Sequence, residues 1–362
     1  MDNDADLATL PAVGVGVSSS FVTIVLDVSP LAFGEREIRR NAMDKRQFAE
    51  GKPSMGPMIL SEVLDSVIAF VSSAKSIERN AIVLVLAVAD RESAVVFPRK
   101  DMLEQCWSGT ASSSMFGAAD AKRIRGDILT GVTDLLELAA IKAAKNTDPA
   151  NRQASIASAC SKALCLMNRC FVAASTGKGI SALNSVTSGS SSEPIIAMAA
   201  GGPKHPKSKS TNTWSPRILI IQASPDRSRD YNALMNCAFC AAKQNIVIDG
   251  CFLASKSCPE SSFLEQTCDL TGGIYLAPSG KSTISGALTE VLVSVFLAPI
   301  SCRNRLHLPA LHRVEFKARC FDTENAVDIA VVCNQCLSIY EHAPTATECP
   351  TCHARILVRR GT

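Results

Sequence analysis

Two hydrophobic periods alternate along this chain. Short, continuous apolar runs occur in "SFVTIVLDVS" (residues 20–29), "NAIVLVLAVAD" (80–90), "PRILIIQAS" (216–224), "NIVIDGCFLA" (245–254) and "IYLA" (274–277). They are rich in β-branched residues and too short for buried helices, so each predicts a strand. "SAVVFP" (93–98) predicts a further edge strand closed by Pro98. Between the runs the period changes. Over 56–75, Ile59, Val63, Val67, Phe70 and Val71 form one helical stripe. Further helices are predicted over residues 124–145, 149–174, 229–243, 260–270 and 284–296. Apolar strands separated by helices predict an α/β fold, a doubly wound and mostly parallel sheet covered on both faces. Such a sheet places its functional loops at the carboxyl edge of the strands.

The pattern breaks after Pro299. "RVEFKARCF" and "VDIAVVC" read as short alternating strands leading into a cysteine-rich end. Two units are therefore expected, an α/β domain over 1–299 and a small C-terminal module over 300–362. Residues 99–121 and 175–213 are rich in Ser, Gly and Ala or Pro and Lys, and read as flexible insertions within the first unit. Of 362 residues, 47% are hydrophobic and 20% charged, enough to build a core and to exclude global disorder. A net charge of only +3 argues against a nucleic-acid scaffold or a basic membrane surface. The start, "MDNDADLATL", lacks a basic segment followed by an apolar one, so no signal peptide is expected. The longest apolar run, Ala81 to Ala89, is far shorter than the roughly 20 residues of a membrane span.

Fifteen cysteines, an odd number without disulfide-framework spacing, predict reduced thiols and a metal site. "CNQCLSIYEHAPTATECPTC" holds two Cys-x-x-Cys pairs, Cys333/Cys336 and Cys349/Cys352. One such turn grips an ion with two sulfurs, and two of them complete a tetrahedral site. One structural Zn²⁺ is expected, stabilising a module too small to fold on its apolar surface alone. His342 and His353 lie nearby, but four sulfurs already saturate the ion. Cys237 and Cys240 form a third pair in the middle of a predicted helix, without a partner pair, and read as small apolar core positions. "PSGKST" and "TGKGI" resemble phosphate loops but carry Tyr275 and Val172 where the motif needs glycine. "GVGVSSS" precedes its strand instead of following it. None of the five histidines stands beside a plausible nucleophile, so no catalytic constellation emerges.

The first strand ends in "LDVSPLAFG". Asp27-x-Ser29 at the carboxyl edge resembles the metal-ion-dependent adhesion site of von Willebrand factor A (vWA) domains, Asp-x-Ser-x-Ser, whose oxygens suit Mg²⁺. Leu31 replaces the second serine, so the site is degenerate; the bland reading is that Asp27 caps a turn. A vWA-like sheet with a defective cation site and one four-cysteine module resembles the smaller vWA subunit of TFIIH, the general transcription and DNA-repair factor. "RILIIQAS", "KQNIVIDGCFL", "CDLTGGIYL", "VEFKARCF" and "VVCNQCLSIY…CPTC" carry the likeness in order, while 99–121 and 175–213 fall outside it. The resemblance implies a nuclear, non-catalytic subunit of the TFIIH core, serving RNA polymerase II initiation and nucleotide excision repair. It implies docking to the larger vWA/RING-like subunit and, through it, to the other core subunits including the helicases. It implies no sequence-specific nucleic-acid binding and no membrane association. Two competing classes are a cation-dependent vWA adaptor, which Leu31 disfavours, and a zinc-dependent ubiquitin ligase. A cross-braced RING of the latter kind needs roughly twice these ligands.

Overall fold

The computed structural model describes residues 20–49, 56–78, 81–99, 121–145, 154–176, 215–255, 258–278, 287–303, 305–308, 318–323, 325–342 and 348–355. The elements of the first unit are β1 (Ser20–Asp27), α1 (Pro30–Ala49), α2 (Leu60–Ile77), β2 (Ile82–Ala89), β3 (Glu92–Phe97), α3 (Ala121–Lys145) and α4 (Ile156–Thr176). They continue with β4 (Ser215–Gln222), a 3-10 turn (Ser228–Asp230), α5 (Tyr231–Lys243), β5 (Val247–Phe252), α6 (Ser262–Thr271), β6 (Tyr275–Leu276) and α7 (Ala287–Val291). A π-helical turn, Leu292–Phe296, and the short α8 (Ile300–Arg303) follow.

Six strands form one sheet in the order β3-β2-β1-β4-β5-β6. All pairings are parallel except β2–β3, which makes β3 the antiparallel edge expected of "SAVVFP". Because successive side chains leave a strand on opposite sides, each central strand feeds two cores. Val22, Ile24 and Leu26 of β1 join Val83, Val85 and Ala87 of β2 against α2 and α3. Phe21 and Val25 join Leu84, Leu86 and Ile220 against α4, α5 and α6. The predicted stripe of α2 is borne out at Val63, Val67, Phe70 and Val71, all buried, while Ile59 caps the helix just outside it. The "TGG" turn after α6 needs its glycines. Gly272 has φ +69° and closes the helix, and a Cβ on Gly273 would lie 1.8 Å from the Ile248 carbonyl oxygen.

One element escaped the sequence pattern. Helix α1 follows β1 directly, with Pro30 at its first turn, where a missing N–H costs nothing. Among its described residues only Phe33 and Arg36 are buried, so no apolar stripe advertises it. The predicted insertions fall almost wholly outside the described residues, although Ser175 and Thr176 complete α4 and Ala121 opens α3. The lysine of "PSGKST" also lies outside them, as does that of "TGKGI". No described helix is long and apolar enough to cross a membrane.

Beyond α8 the described residues hold only two-residue strands: β7 (Ala318–Arg319), β8 (Ala326–Val327), β9 (Val331–Val332) and β10 (Ile339–Tyr340). β7 pairs with β8 and β9 with β10, both antiparallel.

The cysteine cluster and the carboxyl edge

The two Cys-x-x-Cys pairs fold into matching turns. Cys333 N–H donates to Ser338 O at 2.9 Å and Cys349 N–H to Ala354 O at 2.8 Å. In return Leu337 N–H donates to Cys333 O and His353 N–H to Cys349 O, each at 2.9 Å. Both closing residues take the left-handed conformation, Leu337 at φ 61° and His353 at φ 59°. A bulky residue adopts that region only when its surroundings impose it. His353 is thus part of the turn; neither it nor His342 joins the ligand cluster.

The turns bring Cys333, Cys336, Cys349 and Cys352 together, with all four sulfurs within 4.8 Å of one another. Cys333 Sγ lies 3.8 Å from Cys352 Sγ, and Cys336 Sγ lies 3.7 Å from Cys349 Sγ. A tetrahedral ion at the thiolate–zinc distance of about 2.3 Å demands sulfur–sulfur separations of about 3.8 Å. The four sulfurs therefore have the geometry to hold one metal ion. Second contacts orient them. The Tyr340 hydroxyl lies 3.2 Å from Cys349 Sγ and 2.7 Å from Thr351 Oγ1, and the Ser338 hydroxyl lies 3.1 Å from Cys336 Sγ. Burial pushes the Cys349 thiol up, but donation from Tyr340 and from the N–H groups of Cys352 and Thr351 brings it down to about 6. For Cys352 the Ala354 N–H pulls the thiol down, but desolvation and the other sulfurs prevail and raise it to about 12. Crowded sulfurs retain a proton unless a cation balances them, which suits a site built for one.

Cys320, which the sequence reading passed over, heads a third turn of the same kind, its N–H donating to Asn325 O at 2.8 Å. Its sulfur accepts the Glu341 N–H at 3.4 Å but stands outside the cluster, because Thr323 occupies the place of a second cysteine. Cys237 is buried in α5 as expected. Cys240 is a correction: it is exposed, one turn further round the helix, and its sulfur lies 3.3 Å from Gln244 Nε2.

At the carboxyl edge, Asp27 is 1% exposed and fully engaged. Its Oδ1 accepts the Ser29 N–H at 2.9 Å, and its Oδ2 accepts those of Ala223 at 3.0 Å and Ser224 at 2.6 Å. The carboxylate thus caps the turn after β1 and ties it to the end of β4. Positive charge comes from Arg36 of α1, which is 4% exposed and donates to the carbonyls of Leu253 and Ala254 at the end of β5. Burial lowers the pKa of that guanidinium, and the nearby Asp27 charge raises it in part. Ser29 is buried, and the hydroxyl of Ser224 finds no partner among the described residues.

A second buried charge cluster joins α8 to the sheet. Arg303 of α8 forms a bidentate pair with Asp249 of β5, at 2.8 and 2.5 Å. Arg217 of β4 donates to the carbonyls of Phe296, Leu297 and Ala298 at 2.6, 3.1 and 3.0 Å, filling acceptors that a helix end leaves open. Burial lowers the Arg217 guanidinium to about 10. The cysteine turns also touch the α/β unit, since Asn232 Nδ2 of α5 donates to Cys336 O at 3.3 Å.

A doubly wound sheet of this order, followed by a four-cysteine cluster, defines an α/β protein with a small module that could hold a metal ion. The chain matches the model of the transcription factor Tfb4 family over residues 19–353, and belongs to that family. It is 39% identical over 144 residues to general transcription factor IIH subunit 3 of Dictyostelium discoideum, covering 40% of this chain and 37% of that protein. It is 37% identical over 147 residues to general transcription and DNA repair factor IIH subunit tfb4 of Schizosaccharomyces pombe, covering 41% and 46%. The corresponding Arabidopsis thaliana subunit is 35% identical over 138 residues, covering 38% and 42%. The matched stretch therefore spans less than half the length of these curated relatives. Among solved structures, the N-terminal domain of TFIIH p34 aligns with 75% of this chain and 97% of its own, at 19% identity and a TM-score of 0.48.

Proposed function

We propose that this chain is a non-catalytic subunit of the TFIIH core, acting in the nucleus in transcription initiation by RNA polymerase II and in nucleotide excision repair. It works by holding a partner, the larger vWA subunit. The observation that carries this reading is the closed carboxyl edge. Where an open α/β sheet does its chemistry, the buried Asp27 carboxylate spends its oxygens on the N–H groups of Ser29, Ala223 and Ser224. No divalent cation is expected to act there. The names of the relatives, all TFIIH subunits, support the assignment to that complex. We further propose that Cys333, Cys336, Cys349 and Cys352 hold one structural Zn²⁺, the ion whose tetrahedral thiolate geometry the sulfur separations fit. The chain divides functionally into the α/β unit over 1–299 and the zinc module over 300–362, with the Arg303–Asp249 pair clamping the start of the second to the first. Two linked contacts hold a partner far better than either alone, because the second forms at high effective concentration.

Affinity purification of the tagged chain from its own cells, followed by mass spectrometry, tests the reading. The larger vWA subunit and the TFIIH helicases are expected to co-purify, and deleting residues 300–362 should weaken the association. A folded, zinc-loaded chain that brings down none of them would overturn it.

A further inference from the structure

Among the described residues, the short ladder beside the cysteine cluster has one side open. In antiparallel pairs, residues that exchange backbone hydrogen bonds alternate with residues that do not. Cys333 N–H bonds to Ser338 O, so the next pair, Val332 with Ile339, turns its backbone groups outward. On the β10 side this outward carbonyl is used: Ile339 O accepts the Phe321 N–H at 2.8 Å. On the β9 side, no described residue pairs with the backbone of Val332, whose side chain is 52% exposed. Val331 of the same strand is 37% exposed, and Ile329, in the bend just before it, is 88% exposed. Open edges with exposed apolar residues are ordinarily blunted by lysine, proline or a covering element, and residues 329–332 contain neither lysine nor proline.

Charge narrows what fits. From Cys320 to Cys352 the chain carries five acidic residues (Asp322, Glu324, Asp328, Glu341 and Glu348) and no Lys or Arg, while Lys317, Arg319, Arg355, Arg359 and Arg360 stand on its flanks. Asp328 lies in the bend before β9, and Glu341 follows β10 directly. Four thiolates around a divalent ion add further negative charge. Asp322, Asp328, Glu341 and Glu348 are exposed, and a surface carrying them repels the phosphates of nucleic acid and attracts lysine and arginine.

We propose that the outer edge of β9 is a docking edge that takes an extended, basic segment of a partner protein as an added strand. Main-chain hydrogen bonds to Val332 supply the binding and the acidic surroundings select the sequence. The proposal rests on the reading of the zinc module as a docking element. The test uses the zinc-loaded full chain and a fluorescein-labelled peptide of alternating Lys and Val, followed by anisotropy. The comparators are an alternating Glu and Val peptide, a backbone N-methylated Lys and Val peptide, and a labelled DNA duplex. The Lys and Val peptide is expected to bind, and the Glu and Val and N-methylated peptides to fail. Val332→Pro removes the outward N–H without touching the β9–β10 ladder and should weaken the peptide by about tenfold, the worth of one or two such bonds. Asp328→Lys should weaken it further as salt is lowered. A variant that lost zinc would be set aside in favour of the N-methylated peptide on the wild-type chain, which probes the same bonds. No binding by the Lys and Val peptide, equal binding by the N-methylated one, or binding of the labelled duplex that Val332→Pro weakens would each overturn the proposal. If the peptide fails while the larger vWA subunit still co-purifies, the edge is refuted and the docking function stands. If the peptide binds while co-purification fails, the edge stands and the TFIIH assignment falls.

Discussion

Replacing Asp27 by asparagine separates a structural carboxylate from a cation ligand. The carboxylate receives three backbone N–H groups, from Ser29, Ala223 and Ser224, at 1% exposure. Asparagine offers one acceptor oxygen and one donor amide of the same shape. In its better orientation the oxygen keeps Ala223 and Ser224, and the NH₂ group then faces the Ser29 N–H, donor against donor. One charge-assisted bond is lost outright, its buried donor is left without an acceptor, and the two remaining bonds become neutral. Each such bond contributes roughly 1.5–3 kcal/mol, and an orphaned donor costs about 1–3 kcal/mol. Arg36 also loses its neighbouring negative charge. Taken at the low end of these ranges the total comes to about 3 kcal/mol, which for a domain of this size lowers the unfolding midpoint by about 5–10 °C. Thermal unfolding followed by circular dichroism, with and without millimolar Mg²⁺, measures it. The expected outcome is a wild-type midpoint indifferent to Mg²⁺ and a variant that unfolds well below it in either condition. A wild-type midpoint that rises with Mg²⁺, together with an Asp27→Asn midpoint that does not, would refute the reasoning and restore a functional cation site.

Three further outcomes follow from the same structure. Arg303→Ala leaves the buried Asp249 carboxylate without its partner and should cost about 3–5 kcal/mol in chemical denaturation, while Arg303→Met with Asp249→Asn should cost less. Cys349→Ser should abolish stoichiometric zinc, measured by elemental analysis, and unfold the C-terminal module while sparing the sheet; well under one zinc per wild-type chain would contradict the site. Lys75 is buried, and desolvation holds it down to about 8 from 10.5. Its folded value lies below the unfolded one, so the unfolded state binds more protons between those values and stability rises with pH across that window. The wild type should gain up to about 3 kcal/mol relative to Lys75→Met between pH 8 and 10.5, read from paired denaturation curves.

The sequence by itself determined whatever depends on short-range periodicity. Continuous β-branched runs can be satisfied only by strands covered on both faces, so Phe21 to Leu26 and Ile82 to Ala89 announced the central strands and the two-sided core. Two Cys-x-x-Cys turns twelve residues apart announced a thiolate cluster, because each turn presents its two sulfurs to one point. Helix α1 was hidden, because a helix that buries only Phe33 and Arg36 has no apolar stripe to read. The role of Asp27 was likewise open: its spacing to Ser29 suits a cation ligand and a turn cap equally. Only tertiary structure shows its partners, by bringing the N–H groups of Ala223 and Ser224, 196 and 197 residues away, onto one carboxylate oxygen. The same holds for Arg303 and Asp249, 54 residues apart, and for Asn232 against Cys336, 104 apart. A periodic pattern records which face of an element is buried, and it carries no record of which distant group a buried charge must meet. That pairing is fixed only when the sheet closes and brings distant polar groups within reach of each desolvated charge.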